Sequence, residues 1–187
     1  MEKLHISRDF SPRIEDNFLD QHEFDKIQKF MTAENFPWFF RYRYYVGPPI
    51  EIGDSIENEL DDFQFIHAFY DDYSPSSVYM EHLTHLLELL QPVSIWRIRA
   101  NLLTRLPNIV DNPFHSDMDI LPEEKRKHWT TSILYVNTNN GYTVFEDGTR
   151  VESVANRLLT FPANMNHTGT SCTDQPTRLI INLNYFK

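Results

Sequence analysis

Two periodicities divide this chain near residue 92. Before it, apolar side chains recur at helical spacing. Phe18, Phe24, Ile27, Phe30 and Met31, with charges between them, predict an amphipathic helix over 18–36 that Pro37 ends. Ser76 or Ser77 is placed to cap a second helix running to Leu90, whose face carries Leu83, Leu86, Leu87 and Leu90 and which Pro92 stops. Between the helices, Trp38 to Val46 alternates aromatic residues with Arg41 and Arg43, which predicts a strand broken by Gly47-Pro48-Pro49. Phe63 to Tyr70 is a further short strand, and residues 1–16 read as a polar, extended arm.

From Val93 the period becomes two. Trp96, Ile98, Ala100 and Leu102 alternate with Arg97, Arg99, Asn101 and Leu103, giving one apolar and one largely polar face. A loop punctuated by Pro and Asn, 105–114, and a charged connector, 121–128, interrupt the pattern. Short strands then follow at 129–136, 142–146, 150–154, 158–161, 167–171 and 177–186. Asn140-Gly141 and Asp147-Gly148 carry the signature of tight type I′ hairpins, which joins the first three of these strands into an antiparallel meander. Helices followed by many short strands predict a mainly β fold with N-terminal helices (α+β), a double-stranded β-helix or jelly roll buttressed by helices. The expected organisation is one domain over 1–187, with helical and strand support over about 1–92 and a barrel over about 93–187.

Composition narrows the partners. A formal charge of −10 argues against a nucleic-acid backbone or an anionic membrane as the main partner. The single cysteine, Cys172, excludes an intrachain disulfide, and charged residues near Met1 interrupt any signal-like apolar run. The expected location is therefore cytoplasmic. Only 5 Gly stand against 14 Phe and 9 Tyr, so aromatic side chains are expected to fill core and pocket.

The candidate chemistry sits in Asn112-Pro113-Phe114-His115-Ser116-Asp117-Met118-Asp119, which holds the one His-x-Asp of the chain. On a strand these two side chains would project from one face. His167, in Asn166-His167-Thr168-Gly169, is the expected third donor. Two imidazoles and a carboxylate form the facial triad of non-haem Fe(II) oxygenases, which leaves coordination positions open. A bare His-x-Asp carries little, since 8 His and 14 Asp in 187 residues give about 0.6 matches by chance. His82 and His85, three apart on the second helix, lack a third donor nearby and read as an ordinary helical pair.

The order of elements supplies the missing context. His115-Ser116-Asp117, the strand Thr130 to Asn137, Gly141 to Phe145, Asn156 to Pro162, His167, and Arg178 in Thr177-Arg178-Leu179-Ile180-Ile181-Asn182 follow one another over 93–186. This half resembles the 2-oxoglutarate/Fe(II) dioxygenase superfamily, most of all its prolyl-hydroxylase-like branch. The resemblance implies Fe(II), 2-oxoglutarate as cosubstrate and O₂, with His115, Asp117 and His167 on the metal. It also implies Arg178 on the distal carboxylate of 2-oxoglutarate, where a planar guanidinium makes a bidentate pair. Tyr135 and Asn101 are the further cosubstrate-binding candidates. Two departures stand out: Asn101 lies where many prolyl-hydroxylase-type sequences carry tyrosine, and Arg178 where the collagen type favours lysine. The implied activity is hydroxylation of a peptidyl residue, foremost proline. The alternatives are a free amino acid or other small molecule as substrate, or a non-catalytic jelly-roll interaction domain.

Overall fold

The computed structural model describes residues 11–42 and 63–187. Most of the expected arm at 1–16, the far half of the strand expected at 38–46 and the Gly47-Pro48-Pro49 break lie outside the described residues. In chain order the elements are β1 (Arg13–Glu15), α1 (Gln21–Met31), β2 (Phe39–Tyr42), β3 (Phe63–Asp71) and β4 (Ser74–Pro75). A 3₁₀ turn (Val78–Leu83), α2 (Thr84–Leu90), β5 (Ser94–Thr104), α3 (Glu123–Arg126) and β6 (Trp129–Tyr135) come next. The chain then runs through β7 (Tyr142–Phe145), β8 (Arg150–Glu152), β9 (Arg157–Pro162), β10 (His167–Gly169) and β11 (Thr177–Phe186).

Helix α1 is shorter than its apolar pattern. Asp20 caps it, its carboxylate accepting from the Glu23 N–H, so Phe18 lies before the helix. After Met31 two successive turns return Phe36 to the core. Ser77 caps the second helical segment as expected, but its first six residues are 3₁₀ and only Thr84–Leu90 is α-helical. His82 stacks on Phe30, and His85 lies 3.4 Å from both Asp20 and Glu88.

The described strands form two antiparallel sheets. The larger runs β1-β9-β6-β11-β5-β3-β2, with β4 added to β3; the smaller is β10-β7-β8. This is the expected double-stranded β-helix, with one correction to its connectivity. Asn140-Gly141 does not close a β6–β7 hairpin, because β6 pairs with β9 and β11 while β7 pairs with β8 and β10. The expected meander is therefore split between the sheets. Asp147-Gly148 does turn β7 into β8, but only Gly148 has positive φ (84°), as in a type I turn closed by a glycine bulge rather than a type I′ turn.

Each strand of the large sheet faces two ways. Outward, Ile98, Ala100, Leu134, Leu179, Ile181, Leu183 and Tyr185 pack on Phe24, Ile27 and Met31 of α1 and Leu86 and Leu90 of α2. Inward, Ile133, Tyr135, Leu159, Phe161 and Ile180 meet Phe145 and Val151 of the small sheet. The inner core fills only part of the space between the sheets. Among the described residues, no helix is long and apolar enough to cross a membrane.

Candidate metal centre and its cavity

The remainder of that space is a cavity of about 440 Å³. Its walls include His115 and Asp117, the inward face of β5 (Arg97, Arg99, Asn101), His167 and Gly169 of β10, and Arg178 and Asn182 of β11.

The two histidines are brought together by backbone pairing. The His115 N–H donates to the His167 carbonyl at 3.0 Å and the His167 N–H to the His115 carbonyl at 2.9 Å, so the rings stand side by side with centroids 4.8 Å apart. Asp117 does not share a strand with His115, contrary to the sequence expectation. The chain leaves the bridge at once, and Asp117 opens a turn whose second residue, Met118, adopts φ 59° and is buried. The convergence survives the change of route: ligand atoms of His115, Asp117 and His167 all lie within 4.8 Å of one another.

The donor set suits a divalent metal. Nδ1 of His115 lies 3.3 Å from the Pro113 carbonyl and Nδ1 of His167 3.0 Å from the Met165 carbonyl. An acceptor at Nδ1 fixes the proton there and leaves the Nε2 lone pair for a ligand bond. Burial lowers the His167 pKa, and His115 adds to that effect, so the neutral, ligating form is favoured despite the pull of Asp117. Burial works the other way on Asp117 and would raise its pKa. Electrostatic attraction from the neighbouring His167, Arg97 and His115 side chains, together with the Thr131 hydroxyl, outweighs it and brings the carboxyl to about 2, so it is ionised.

One rung of the large sheet supports that carboxylate. Arg97, Asn184 and Thr131 face one another across β5, β11 and β6. The Arg97 guanidinium donates to the side-chain Oδ1 of Asn184 at 3.0–3.1 Å and approaches Asp117 Oδ1 at 3.4 Å. Asn184 and Thr131 both donate to Asp117 Oδ2, at 2.9 and 2.8 Å. Sequence reasoning missed Asn184 and the part played by Arg97. The only signal for them was their place on the polar face of each strand; their convergence depends on register.

Arg178 is 1% exposed, followed on β11 by the apolar residues Leu179, Ile180 and Ile181. Its Nε donates to the Ser153 hydroxyl at 2.9 Å and its Nη2 to the Thr143 hydroxyl at 3.3 Å. Tyr135 is fully buried beside it and donates its hydroxyl to the same Thr143 at 2.8 Å; burial raises its pKa and keeps the phenol protonated. Two glycines make room for the arginine. A Cβ on Gly141 would come within 2.7 Å of Arg178 Cδ and of the Ser171 carbonyl oxygen, and one on Gly169 within 3.1 Å of Arg178 Nη1. Gly141 thus serves close approach rather than the tight turn its Asn-Gly signature predicted. Asn101 faces the cavity directly opposite Ile180.

Structures already solved share this arrangement of strands. A prolyl hydroxylase from Trichoplax adhaerens, in complex with a hypoxia inducible factor oxygen degradation domain peptide, superposes with TM-score 0.61 at 12% identity, over 95% of this chain and 84% of that one. A prolyl-4-hydroxylase from Pseudomonas putida gives 0.55 at 14%, over 96% and 94%. The non-haem α-ketoglutarate-dependent carbocyclase SnoK of nogalamycin biosynthesis gives 0.62 at 12%, over 94% and 79%. The fold is that of the 2-oxoglutarate/Fe(II) oxygenases. No family model and no curated protein matches the sequence itself. The likeness to these oxygenases extends over the N-terminal half as well, where the sequence alone offered no motif.

Proposed function

We propose that this chain is a 2-oxoglutarate-dependent Fe(II) oxygenase, with His115, Asp117 and His167 as metal ligands and Arg178 as the anchor of the cosubstrate. The observation that carries the reading is the pairing, within one cavity, of a convergent His-Asp-His set with a buried guanidinium. The spacing supports it. Arg178 Nη1 lies against Gly169, two residues along β10 from His167, or roughly 7 Å at strand rise. A five-carbon keto acid chelating a metal beside His167 is long enough to bring its distal carboxylate to that guanidinium.

Iron bound at the triad would supply the oxygen activation that couples conversion of 2-oxoglutarate and O₂ into succinate and CO₂ to hydroxylation of a C–H bond. The protein supplies the rest. The rung of Arg97, Asn184 and Thr131 holds Asp117 in one orientation, and the Pro113 and Met165 carbonyls orient the two imidazoles. Ser153 and Thr143 hold the Arg178 fork in place, and the buried phenol of Tyr135, hydrogen-bonded to Thr143, lies against it. Asn101 is a further cosubstrate contact from the facing strand.

The substrate proposed is a peptidyl residue, foremost proline. The likeness in fold to two prolyl hydroxylases, one of them in complex with a peptide, supports this choice. The test measures succinate release with proline-containing peptides beside a panel of free amino acids, preceded by titration with Mn(II) and 2-oxoglutarate. Failure to bind either would sink the oxygenase reading. Stimulation by a free amino acid alone would replace the peptide substrate and leave the oxygenase standing.

A further inference from the structure

Besides Arg97 and Arg178, the cavity is lined by a third arginine whose situation differs from both. Arg99 stands on β5 one rung from Arg97, with Asn182 directly opposite it on β11 and Ala68 directly opposite on β3. Ala68 has no polar group to offer. Asn182 has one, but does not use it on Arg99: the Asn182 Oδ1 acceptor and the Arg99 Nε donor are both buried without a hydrogen-bond partner among the described residues. None of the ion pairs among those residues involves Arg99. A buried, unmatched donor and a buried, unmatched acceptor on neighbouring strands each cost stability, so a ligand that satisfies both is favoured.

We propose that Arg99 and Asn182 are the recognition point for the primary substrate, Arg99 taking a carboxylate and Asn182 Oδ1 accepting an adjacent N–H. The proposal rests on the oxygenase reading above, in which the metal and Arg178 hold both ends of 2-oxoglutarate and leave Arg99 for the second substrate.

Electrostatics point the same way. Burial, then repulsion from Arg97 and Arg41, loosens the Arg99 proton to about 10, and Asp71 and Asp117 offset this only in part. The β5 wall therefore carries positive charge that an anion entering the cavity would neutralise. Arg97 is less available for this purpose, being tied to Asn184 and drawn toward Asp117. A carboxylate paired with an N–H is the chemistry of an amino acid, and it is equally that of an acidic residue within a peptide. The prolyl-peptide reading then sharpens to a peptide with Asp or Glu beside the target residue; the small-molecule reading sharpens to a free amino acid.

The experiment is a binding titration followed by quenching of tryptophan fluorescence, since Trp96 lines the cavity. The probes are matched pairs: each free amino acid against its amide, and an acetylated prolyl peptide bearing Glu against the same peptide bearing Gln. Titrations are run with and without Mn(II) and 2-oxoglutarate, so that loss of cosubstrate binding is recorded separately from loss of anion selectivity. In the unaltered protein at least one carboxylate is expected to bind tenfold or more tighter than its amide, and Arg99→Gln to erase that ratio while 2-oxoglutarate affinity is retained. Whether the selective pair is a free amino acid or the peptide identifies the source of the carboxylate. The proposal is overturned if no pair discriminates, if Arg99→Gln keeps the discrimination, or if that variant loses 2-oxoglutarate as Arg178→Gln does. Should Arg99→Gln not fold, Arg99→Lys, which keeps the charge and loses the planar fork, reads the same ratio and is expected to lower it.

Discussion

The two faces of the paired strands β5 and β11 are assembled on opposite principles. Outward, Ile98, Ala100, Ile181 and Leu183 are at most 1% exposed and sit among helix residues with no polar atom to satisfy. Inward, the same strands present Arg97, Arg99 and Asn101 against Arg178, Asn182 and Asn184, a set with more charge and hydrogen-bonding capacity than the fold needs. Strand alternation makes this separation possible, because adjacent residues never share a face. The helix-facing side can carry most of the folding free energy while the cavity side is left to bind. Substitutions one position apart along a strand should therefore have different phenotypes.

The largest contrast is expected at the triad. His115→Ala removes an exposed side chain and should abolish turnover and metal binding while leaving the melting temperature nearly unchanged. Asp117→Ala should also abolish turnover, but strand Arg97, Asn184 and Thr131 around a lost buried charge, at a cost of about 3–5 kcal/mol. Equal melting temperatures for the two variants would show that the Asp117 network is not structural. On the outer face, Ile181→Ala should cost about 2–5 kcal/mol of stability by opening a cavity, yet leave 2-oxoglutarate affinity intact in the folded fraction. Denaturant titration and ligand titration on the same preparation check both halves of that statement.

How much of this was legible depended on the range of the interaction concerned. The alternation of Trp96 to Leu103 and of Thr177 to Phe186 is local, and it located both strands and their polar faces. His115, Asp117 and His167 were singled out by the order of the strand and turn segments around them, since His-x-Asp alone is expected about 0.6 times by chance in a chain with 8 His and 14 Asp. The residues that were missed act through register. Asn184 meets Asp117, and Asn182 meets Arg99, only once β11 has paired with both β5 and β6, an arrangement that no window of sequence contains. Gly141 misled for a related reason. Asn-Gly reports on local turn preference, whereas its neighbour in space, Arg178, lies 37 residues away in the numbering, and the missing Cβ is needed there.

Arg178 tests how far the inner face is free of structural duty. Arg178→Gln should weaken 2-oxoglutarate binding by more than about tenfold, the value of a charge-assisted hydrogen bond of roughly 1.5–3 kcal/mol, with metal affinity unchanged. It should also lower the melting point modestly, because Ser153 and Thr143 lose a buried donor. An unchanged Michaelis constant for 2-oxoglutarate would count against Arg178 as the anchor.

The smallest effect is expected from a polar residue on the helix side, His67 of β3. It is 4% exposed and packs against Phe36, Phe69 and Tyr79, with one ring nitrogen 2.9 Å from the Pro37 carbonyl and the other 2.8 Å from the Ser77 hydroxyl. Burial lowers its pKa below the ordinary 6.5, and the Pro37 carbonyl only partly opposes this. The sign follows from proton uptake. Above pH 6.5 His67 is neutral whether the chain is folded or not, and its contribution to stability is complete. As pH falls below 6.5 the unfolded chain binds a proton that the folded chain refuses, so stability declines until the folded pKa is reached. Between pH 7.5 and 5.5 this one group can remove no more than about 1.4 kcal/mol. His167, also lowered by burial, adds a decline of the same sign, so the informative quantity is the difference between the unaltered protein and His67→Gln. Glutamine can still bond to Pro37 and Ser77 but cannot titrate, and the variant should show the shallower decline in unfolding free energy over that range. Parallel pH profiles for the two proteins would mean that the imidazole on the outer face is as free to ionise in the fold as in water.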